Sequence, residues 1–452
     1  MPTSRGRKDR SIPHSRPSSG AGGRAADVAS ERNPLKRVAK LLGPGFITGA
    51  SDDDPSGIGT YAVAGASLGL QTLWTALLTF PLMAAVQNIC ARIGMVSGQG
   101  LAGVLRGHYP RAILYGSVLL LFGANTINVG ADLGAIADAV HSVTGVQALW
   151  LIVPVAAGVV ALQIFGSYRL IASIFKWLTL ALLAYVIDVF IVHPDLMATL
   201  RATVVPTFSL DPAYVTTIVA ILGTTISPYL FFWQSSQEVE EEVEIGRKTR
   251  SARRGASSAE LRHSALDTTI GMGFSNLVMY FIILATAITL FKAGKTDIKS
   301  AADAAQALKP LVGDFAGILF AVGMIGAGLL AIPILSGSAA YAIAEAFGWE
   351  YGLDTDWTRA KPFYGVIVVA TALGVAMNFI GLNPIDALFY TAVLNGIVAP
   401  PLLVLVMRAA RNPDVMGKQT IGPVLTALGW LATIGMFLAL AGLAYTTLFA
   451  AK

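Results

Sequence analysis

The chain has 452 residues, of which 54% are hydrophobic and 13% charged, and it carries a formal net charge of +5. Soluble domains usually contain about 25% charged residues, so the composition excludes an ordinary water-soluble protein and indicates a bilayer as the solvent. One cysteine, Cys90, excludes a disulfide and a cysteine-based metal cluster. The small basic excess lies in particular loops, so it indicates lipid rather than nucleic acid as a partner, and no obligate protein partner is evident.

Residues 1–35 differ from the remainder of the chain. They are rich in Arg, Ser, Gly and Pro and have no apolar periodicity. Such a segment buries too little apolar surface to offset its ordering entropy. We therefore expect a disordered, basic tail, followed by a transmembrane domain at residues 36–452.

Apolar stretches of spanning length recur after the tail, each long enough for the roughly 20 residues that a membrane helix requires. They are too long for barrel strands and lack two-residue alternation, so we predict an all-α polytopic membrane protein. The eleven predicted segments are centred near Thr60, Pro81, Phe122, Val155, Ala181, Thr225, Met279, Leu329, Thr371, Asn395 and Ile434.

The distribution of Lys and Arg predicts the orientation. Basic residues concentrate in the tail, in the loop after segment six, and between segments ten and eleven. Loops of the opposite parity have almost none, except four lysines before segment eight. The positive-inside rule then places the N-terminus in the cytoplasm and, after eleven spans, Lys452 outside. We expect the inner (plasma) membrane.

Segments one and six are interrupted near their centres. Segment one contains Asp52, Asp53 and Asp54 followed by Pro55, and one charge at the bilayer centre costs at least about 2.5–3.5 kcal/mol. Segment six breaks at Pro228, behind hydroxyl residues. Breaks five segments apart are typical of transporters built from inverted repeats, with an ion site where the unwound backbone exposes its carbonyls. A proline kink satisfied by Ser and Thr explains segment six alone, but not the three acids.

Four motifs carry a family resemblance. Residues 43–47 read Gly-Pro-Gly-Phe-Ile, residues 54–57 Asp-Pro-Ser-Gly, residues 132–135 Asp-Leu-Gly-Ala, and residues 227–229 Ser-Pro-Tyr. In this order and spacing the chain resembles the NRAMP family of divalent metal transporters, from Gly43 onward. The family's corresponding breaks are Asp-Pro-Gly-Asn and Met-Pro-His. The substitutions resemble those of its magnesium-transporting branch.

The resemblance implies a LeuT-type fold. Two inverted five-helix repeats would occupy about residues 36–195 and 211–410, and an accessory eleventh helix about 419–449. One bundle would rock against a scaffold around the ion site. The transported ion is a substrate, no cofactor is implied, and no nucleophile–base grouping suggests an enzyme.

The resemblance also implies the metal ligands. Asp54 would bind through its carboxylate, beside the backbone carbonyls of Ser51 and Thr224. Gly57 replaces the family's Asn ligand, and Ser227 replaces its Met. The loss of these two larger side chains predicts an enlarged site with room for retained waters.

Tyr229 and Gln234 stand where the family has two histidines. Asp132 is kept, but Ala135 replaces the neighbouring Glu, and segment nine has no Arg to complete the usual proton relay. We assign Asp132, Gln234 and Asn128 to a polar or proton pathway and expect weak or absent proton coupling.

Every plausible ligand is an oxygen, because the site has no Met, Cys or His. Oxygen ligands suit hard ions such as Mg²⁺ and Mn²⁺, and Mg²⁺ dehydrates reluctantly. Asp53 and Asp52 would add negative charge. We therefore predict a secondary transporter or facilitator of hard divalent cations. The alternatives are a proton-coupled Mn²⁺/Fe²⁺ symporter, an organic-substrate transporter, or a non-transporting metal sensor on this fold.

The sequence allows two interpretations for the roles of several polar residues. The acidic run after segment six forms either a solvated helix face, which we favour, or a cation vestibule. Asn125 and Asn128 either pack or line a permeation path, and Asn395 of segment ten is either a site residue or outside the site. The acidic run comprises Glu238, Glu240, Glu241, Glu242 and Glu244.

Overall fold

A computed structural model describes residues 43–166, 180–353 and 355–450. The predictions for the tail at residues 1–35 and for Lys452 lie outside the described residues. The described part of the chain is helical and contains no strand. Its main helices are α1 (Pro44–Asp52), α2 (Pro55–Leu68), α3 (Trp74–Ser97), α4 (Leu101–His108), α5 (Arg111–Thr144), α6 (Ala148–Phe165), α7 (Ala184–Val192), α8 (Leu196–Val204), α9 (Pro212–Thr225), α10 (Pro228–Glu244), α11 (Ser258–Thr286), α12 (Ala316–Phe347), α13 (Lys361–Met377), α14 (Pro384–Arg411) and α15 (Pro423–Tyr445).

Nine helical stretches among the described residues are long and apolar enough to cross a bilayer. They correspond to predicted segments two to four and six to eleven. Segment one is divided into α1 and α2, each too short to cross alone. Segment five is described only from Leu180, as a short 3₁₀ turn followed by α7.

Both predicted breaks are present, and their backbones have the same form. Asp53 ends α1 with ψ 55°, and Ile226 ends α9 with ψ 59°. An extended residue follows each, Asp54 with ψ 168° and Ser227 with ψ 131°. A proline then occupies the first turn of the next helix, where its missing N–H costs nothing and its fixed φ suits a helix. Pro55 and Pro228 therefore restart the two helices.

The start of α1 is held by a carboxylate from α11. Asp267 accepts hydrogen bonds from the backbone amides of Gly43 at 2.9 Å, Gly45 at 2.8 Å and Phe46 at 3.3 Å. These amides have no partner within α1, because the first turn of a helix leaves its N–H groups free. Asp267 therefore caps α1 from a distant part of the chain.

Glycines allow α1 and α11 to touch backbone to backbone. A Cβ on Gly49 would lie 2.1 Å from the carbonyl carbon of Gly271. Helices α9 and α14 meet in the same way, because a Cβ on Gly223 would lie 2.3 Å from the amide nitrogen of Gly396. Small residues at such interfaces let membrane helices gain close van der Waals contact.

The end of the bundle that contains Gly43, here called the Gly43 end, is joined by polar contacts at the start of α4. Glu345 of α12 accepts from the Gly103 amide at 2.9 Å, and Ser235 of α10 accepts from the Leu101 amide at 3.0 Å. The amino terminus of α4 is therefore tied to two different membrane helices.

We predict that Gly49→Ala destabilises the protein by about 3 kcal/mol or more, because the new methyl group would overlap backbone that has no side chain to move aside. Gly116→Ala in α5 is the matched control: its Cβ would meet nothing within 4 Å, and Ala favours a helix over Gly. Thermal unfolding of the purified variants in detergent measures both effects. Equal melting temperatures for the two variants would contradict the close contact.

Candidate metal site at the two helix breaks

Asp54 lies at the centre of the first break and is 1% exposed. One carboxylate oxygen, Oδ1, accepts a hydrogen bond from the Gly57 amide at 2.6 Å, which caps α2. The other, Oδ2, lies 3.4 Å from the Asn128 amide nitrogen and 3.4 Å from the Tyr229 hydroxyl. A carboxylate has about four acceptor positions, so these contacts leave capacity for a cation.

Tyr229 connects the two breaks. Its hydroxyl donates to the Ser51 carbonyl at 3.2 Å as well as facing Asp54. The side chain comes from the first turn of α10, while Ser51 lies in the last turn of α1. The Tyr229 hydroxyl therefore bonds one expected ligand, the Ser51 carbonyl, and lies beside a second, the Asp54 carboxylate.

Ser227 bonds the third expected ligand. Its hydroxyl donates to the Thr224 carbonyl at 2.7 Å and lies 3.0 Å from the Gly223 carbonyl. Ser227 stands at the capping position of α10, but its side chain makes no capping bond to that helix. It satisfies one of the carbonyls that the end of α9 leaves free, that of Thr224.

Gly57 packs closely against its neighbours. A Cβ there would lie 3.1 Å from the Thr224 hydroxyl, 3.3 Å from the Asp52 carbonyl and 3.4 Å from the Tyr61 ring. A side chain at this position would require Thr224 or Asp52 to shift by a few tenths of an ångström. The expectation of an enlarged site stays a prediction.

Asp52 and Asp53 share one hydroxyl from α11. Ser275 lies 2.8 Å from Asp52 Oδ2 and 3.1 Å from Asp53 Oδ1. A serine hydroxyl donates only one hydrogen bond at a time, and the remaining oxygen of each carboxylate has no hydrogen-bond partner. Ser275 was missed by the sequence analysis, because nothing in the apolar run of segment seven marks it.

Asn128 and Asp132 project from successive turns of α5. Asn128 reaches Asp54 through its amide nitrogen, and its amide oxygen is buried without a hydrogen-bond partner. Neither carboxylate oxygen of Asp132 accepts a bond of ordinary geometry, although the Ser56 amide is close. The neighbouring Asn125 donates to the Leu335 carbonyl at 2.8 Å, which is a packing contact with α12.

Gln234 lies away from Asp54, further along α10. Its amide nitrogen donates to Glu238 at 3.0 Å, and the same carboxylate oxygen accepts from Ser264 of α11 at 2.7 Å. Glu242 pairs with Arg247 at 3.3 Å. The favoured interpretation of the acidic run as a solvated face is wrong for Glu238 and Glu242, which are each 4% exposed.

A side-chain amide at the end of segment nine, which has no arginine, makes a hydrogen bond to the backbone of α5. Asn378, just after α13, donates to the Gly130 carbonyl at 2.8 Å. A Cβ on Gly134 would lie 2.4 Å from the Asn378 side-chain oxygen. The sequence analysis noted the missing arginine but did not identify Asn378 as the residue that contacts α5.

The expected ligands are closed off from solvent: Ser51, Asp54, Thr224, Ser227 and Tyr229 are each at most 1% exposed. In the described ranges, no three side chains of His, Cys, Asp or Glu converge as a metal-binding group. Any cation here must therefore rely on backbone carbonyls, hydroxyls and amide oxygens beside one or two carboxylates.

A helical membrane bundle with two restarted helices around a buried carboxylate defines the class of multi-pass membrane proteins with the LeuT-type fold. The Nramp family model, described as natural resistance-associated macrophage protein-like, matches residues 45–446. The chain belongs to the Nramp family.

The similar proteins align with this chain over most of its length. The divalent metal cation transporter MntH of Deinococcus radiodurans is 25% identical over 408 residues, which cover 88% of each protein. MntH of Klebsiella pneumoniae subsp. pneumoniae is 27% identical over 409 residues, or 89% of this chain and 93% of that protein. A crystal structure of the Eremococcus coleocola manganese transporter superposes with a TM-score of 0.72 at 17% identity, covering 91% of this chain and 88% of that one. The structure of MhsT in complex with L-phenylalanine matches with a TM-score of 0.56 at 14% identity, covering 88% and 98%.

Proposed function

We propose that this protein is a secondary transporter or facilitator that carries hard divalent cations, Mg²⁺ or Mn²⁺, between the two helix breaks by alternating access. The proposal rests mainly on the position of the Asp54 carboxylate. It is buried at membrane depth between two unwound backbones, and no ion pair of the described residues includes it. An ionised carboxylate so placed is costly without a neighbouring positive charge, and a bound cation would supply that charge.

The relatives support this substrate class. The curated relatives named above are divalent metal cation transporters, and the Eremococcus structure is that of a manganese transporter. The structure with L-phenylalanine shares the fold at low identity, so it does not argue for an organic substrate. Three acids beside the first break would also repel an organic carboxylate.

Asn128 is the residue best placed to replace the amide that Gly57 lacks. Its side chain already reaches within 3.4 Å of Asp54, and its oxygen is unpartnered. A half-turn of the amide would present that oxygen to a cation at Asp54. We include Asn128 with Asp54, the carbonyls of Ser51 and Thr224, and the hydroxyl of Tyr229 as candidate ligands.

The ligand chemistry supports a preference for hard ions. Ser227 supplies a hydroxyl where a thioether would favour softer transition metals, and the remaining donors are oxygens. Mg²⁺ keeps several waters when few carboxylates bind it. The Ser227 and Tyr229 hydroxyls, which now donate to the carbonyls of Thr224 and Ser51, would then turn toward the ion or its waters.

We propose the plasma membrane as the location, with the Gly43 end facing the cytoplasm and the C-terminus outside. The support is the charge distribution. The described basic residues of the loop after α10 and those at the end of α14 lie at the Gly43 end, as the positive-inside rule requires. The expected result of epitope labelling in intact cells is an accessible C-terminus and a protected N-terminus.

We predict that Asp54→Asn reduces divalent cation uptake into proteoliposomes by at least about 100-fold, because the variant removes the charge that offsets the ion at the site. Asp386→Asn is the matched control, since Asp386 is exposed at the start of α14 and its substitution should leave uptake unchanged. Uptake is compared across Mg²⁺, Mn²⁺, Ca²⁺ and Fe²⁺. Undiminished flux in Asp54→Asn would refute the site. Metal binding without flux in the native protein would indicate a sensor instead.

We predict that Ser227→Met raises Mn²⁺ or Cd²⁺ affinity relative to Mg²⁺ by about tenfold. A thioether sulfur interacts with softer ions but gains little with Mg²⁺, and its introduction releases the Thr224 carbonyl from its hydroxyl donor. Competition of each ion against Mn²⁺ uptake measures the order of affinities. Ser227→Ala, which frees the carbonyl without adding sulfur, separates the two effects. An unchanged ion order in the Met variant would place selectivity elsewhere.

Proton coupling is expected to be weak or absent. Asp132 makes no ordinary hydrogen bond, Ala135 interrupts the path one turn further along α5, and Asn378 stands where segment nine contacts that helix. Gln234 and Tyr229 replace groups that exchange protons near neutral pH.

We therefore predict no internal acidification of proteoliposomes during Mg²⁺ or Mn²⁺ uptake, as measured with an entrapped pH dye. A proton ionophore calibrates the dye in the same vesicles. Metal-dependent acidification that disappears in Asp132→Asn would overturn this prediction and favour an ordinary proton-coupled symporter.

A further inference from the structure

A cavity of about 680 Å³ opens at the Gly43 end, well separated in sequence from the helix breaks. It lies where the junction of α4 and α5 meets the last turns of α14 and the face of α15. Its volume is within the roughly 300–1,000 Å³ of small-molecule sites. The residues used here are His108, Tyr109, Ile113, Arg408, Arg411 and Trp430.

The polar side of the cavity is positively charged. Arg408 and Arg411 are both exposed, and their spacing of three residues puts them on one face of α14. None of the described residues that line the cavity is acidic, and neither arginine belongs to an ion pair among them. The two guanidinium groups therefore form a site for an anion, and guanidinium groups bind phosphate oxygens in a bidentate manner.

The remaining wall is aromatic and apolar. Trp430 is half-buried against the cavity, and Ile113 is 40% exposed. On α15, Leu431 and Ile434 are 51% and 53% exposed, which is expected of a helix that faces lipid. Trp and Tyr concentrate at the level of lipid headgroups. The cavity thus joins a cationic headgroup zone to an apolar, lipid-facing surface.

Two further polar groups face the same space. His108 uses Nδ1 to bond the Val104 carbonyl at 3.0 Å, so its other ring nitrogen is available to the cavity. Burial raises the pKa of Tyr109, and the charge of Arg408, which lines the same cavity, acts in the opposite direction. The Tyr109 hydroxyl can donate a hydrogen bond to a phosphate, and Nε2 of His108 can do so when both ring nitrogens carry protons.

We infer that this cavity binds an anionic phospholipid, with the headgroup phosphate between Arg408 and Arg411 and an acyl chain along Ile113 and Trp430. A lipid fits better than a soluble phosphate because the site combines both chemistries in one opening. Basic pockets between membrane helices commonly bind anionic headgroups. The bound lipid would bridge the start of α5 to the end of α14.

The test is native mass spectrometry of the full chain in detergent with added phosphatidylglycerol or phosphatidylcholine. The native protein should retain phosphatidylglycerol selectively. Each interfacial arginine contributes a factor of about five, so the Arg408→Gln/Arg411→Gln variant should bind it roughly 30-fold more weakly. Arg111→Gln removes the same charge at the same end without altering the cavity lining, and should bind as the native protein does.

The charge-preserving variant Arg408→Lys/Arg411→Lys should keep most of the selectivity, which separates loss of charge from misfolding. An equal loss in Arg111→Gln would show general surface attraction and overturn the assignment. Displacement of the lipid by millimolar inorganic phosphate would identify a soluble anion site instead. Equal retention of the two lipids by the native protein would also refute the inference.

Discussion

A backbone that leaves its helix at membrane depth must find partners for the amides and carbonyls that it releases, because the bilayer supplies none. At the first break the Asp54 carboxylate takes the Gly57 amide, and the Tyr229 hydroxyl takes the Ser51 carbonyl. At the second break Ser227 takes the Thr224 carbonyl. The groups that hold the open backbone are the ligands proposed above, so in the proposed site ion binding and local backbone stability would depend on the same contacts.

This arrangement suits a transporter because the exchange of partners is inexpensive. A hydrogen bond contributes a net free energy of about 0.5–1.5 kcal/mol. An ion that replaced the two hydroxyl donors at the Ser51 and Thr224 carbonyls would therefore cost the protein only two contacts of this size. A Met at position 227 has no hydrogen to donate, and the Thr224 carbonyl would have to be satisfied otherwise. Compared with Met, Ser227 therefore differs in two ways. It offers an oxygen instead of a sulfur, and its hydroxyl can donate a hydrogen bond to the Thr224 carbonyl.

The helix breaks were predictable from the sequence because their signals are local. Proline, glycine and clustered acids within a few residues identify where each helix stops and restarts. Ser275 was not predictable, since its role depends on α11 lying against α1, more than 200 residues away in sequence. The burial of Glu238 was not predicted for the same reason, because its partner Ser264 comes from another helix. The roles of the predicted ligands remain predictions.

The glycine contacts limit how the site can open. Helix α1 is joined to α11 at Gly49 and Gly271 and is capped there by Asp267, while α9 is joined to α14 at Gly223 and Gly396. Backbones in such close contact have little freedom to slide, because a packed interface resists continuous deformation. Helices α1 and α9 are therefore each fixed to a different neighbour, and the Tyr229 hydroxyl of α10 bonds Ser51 across the breaks. Relative movement of the two pairs would have to separate that contact, so the site lies where such a movement would act.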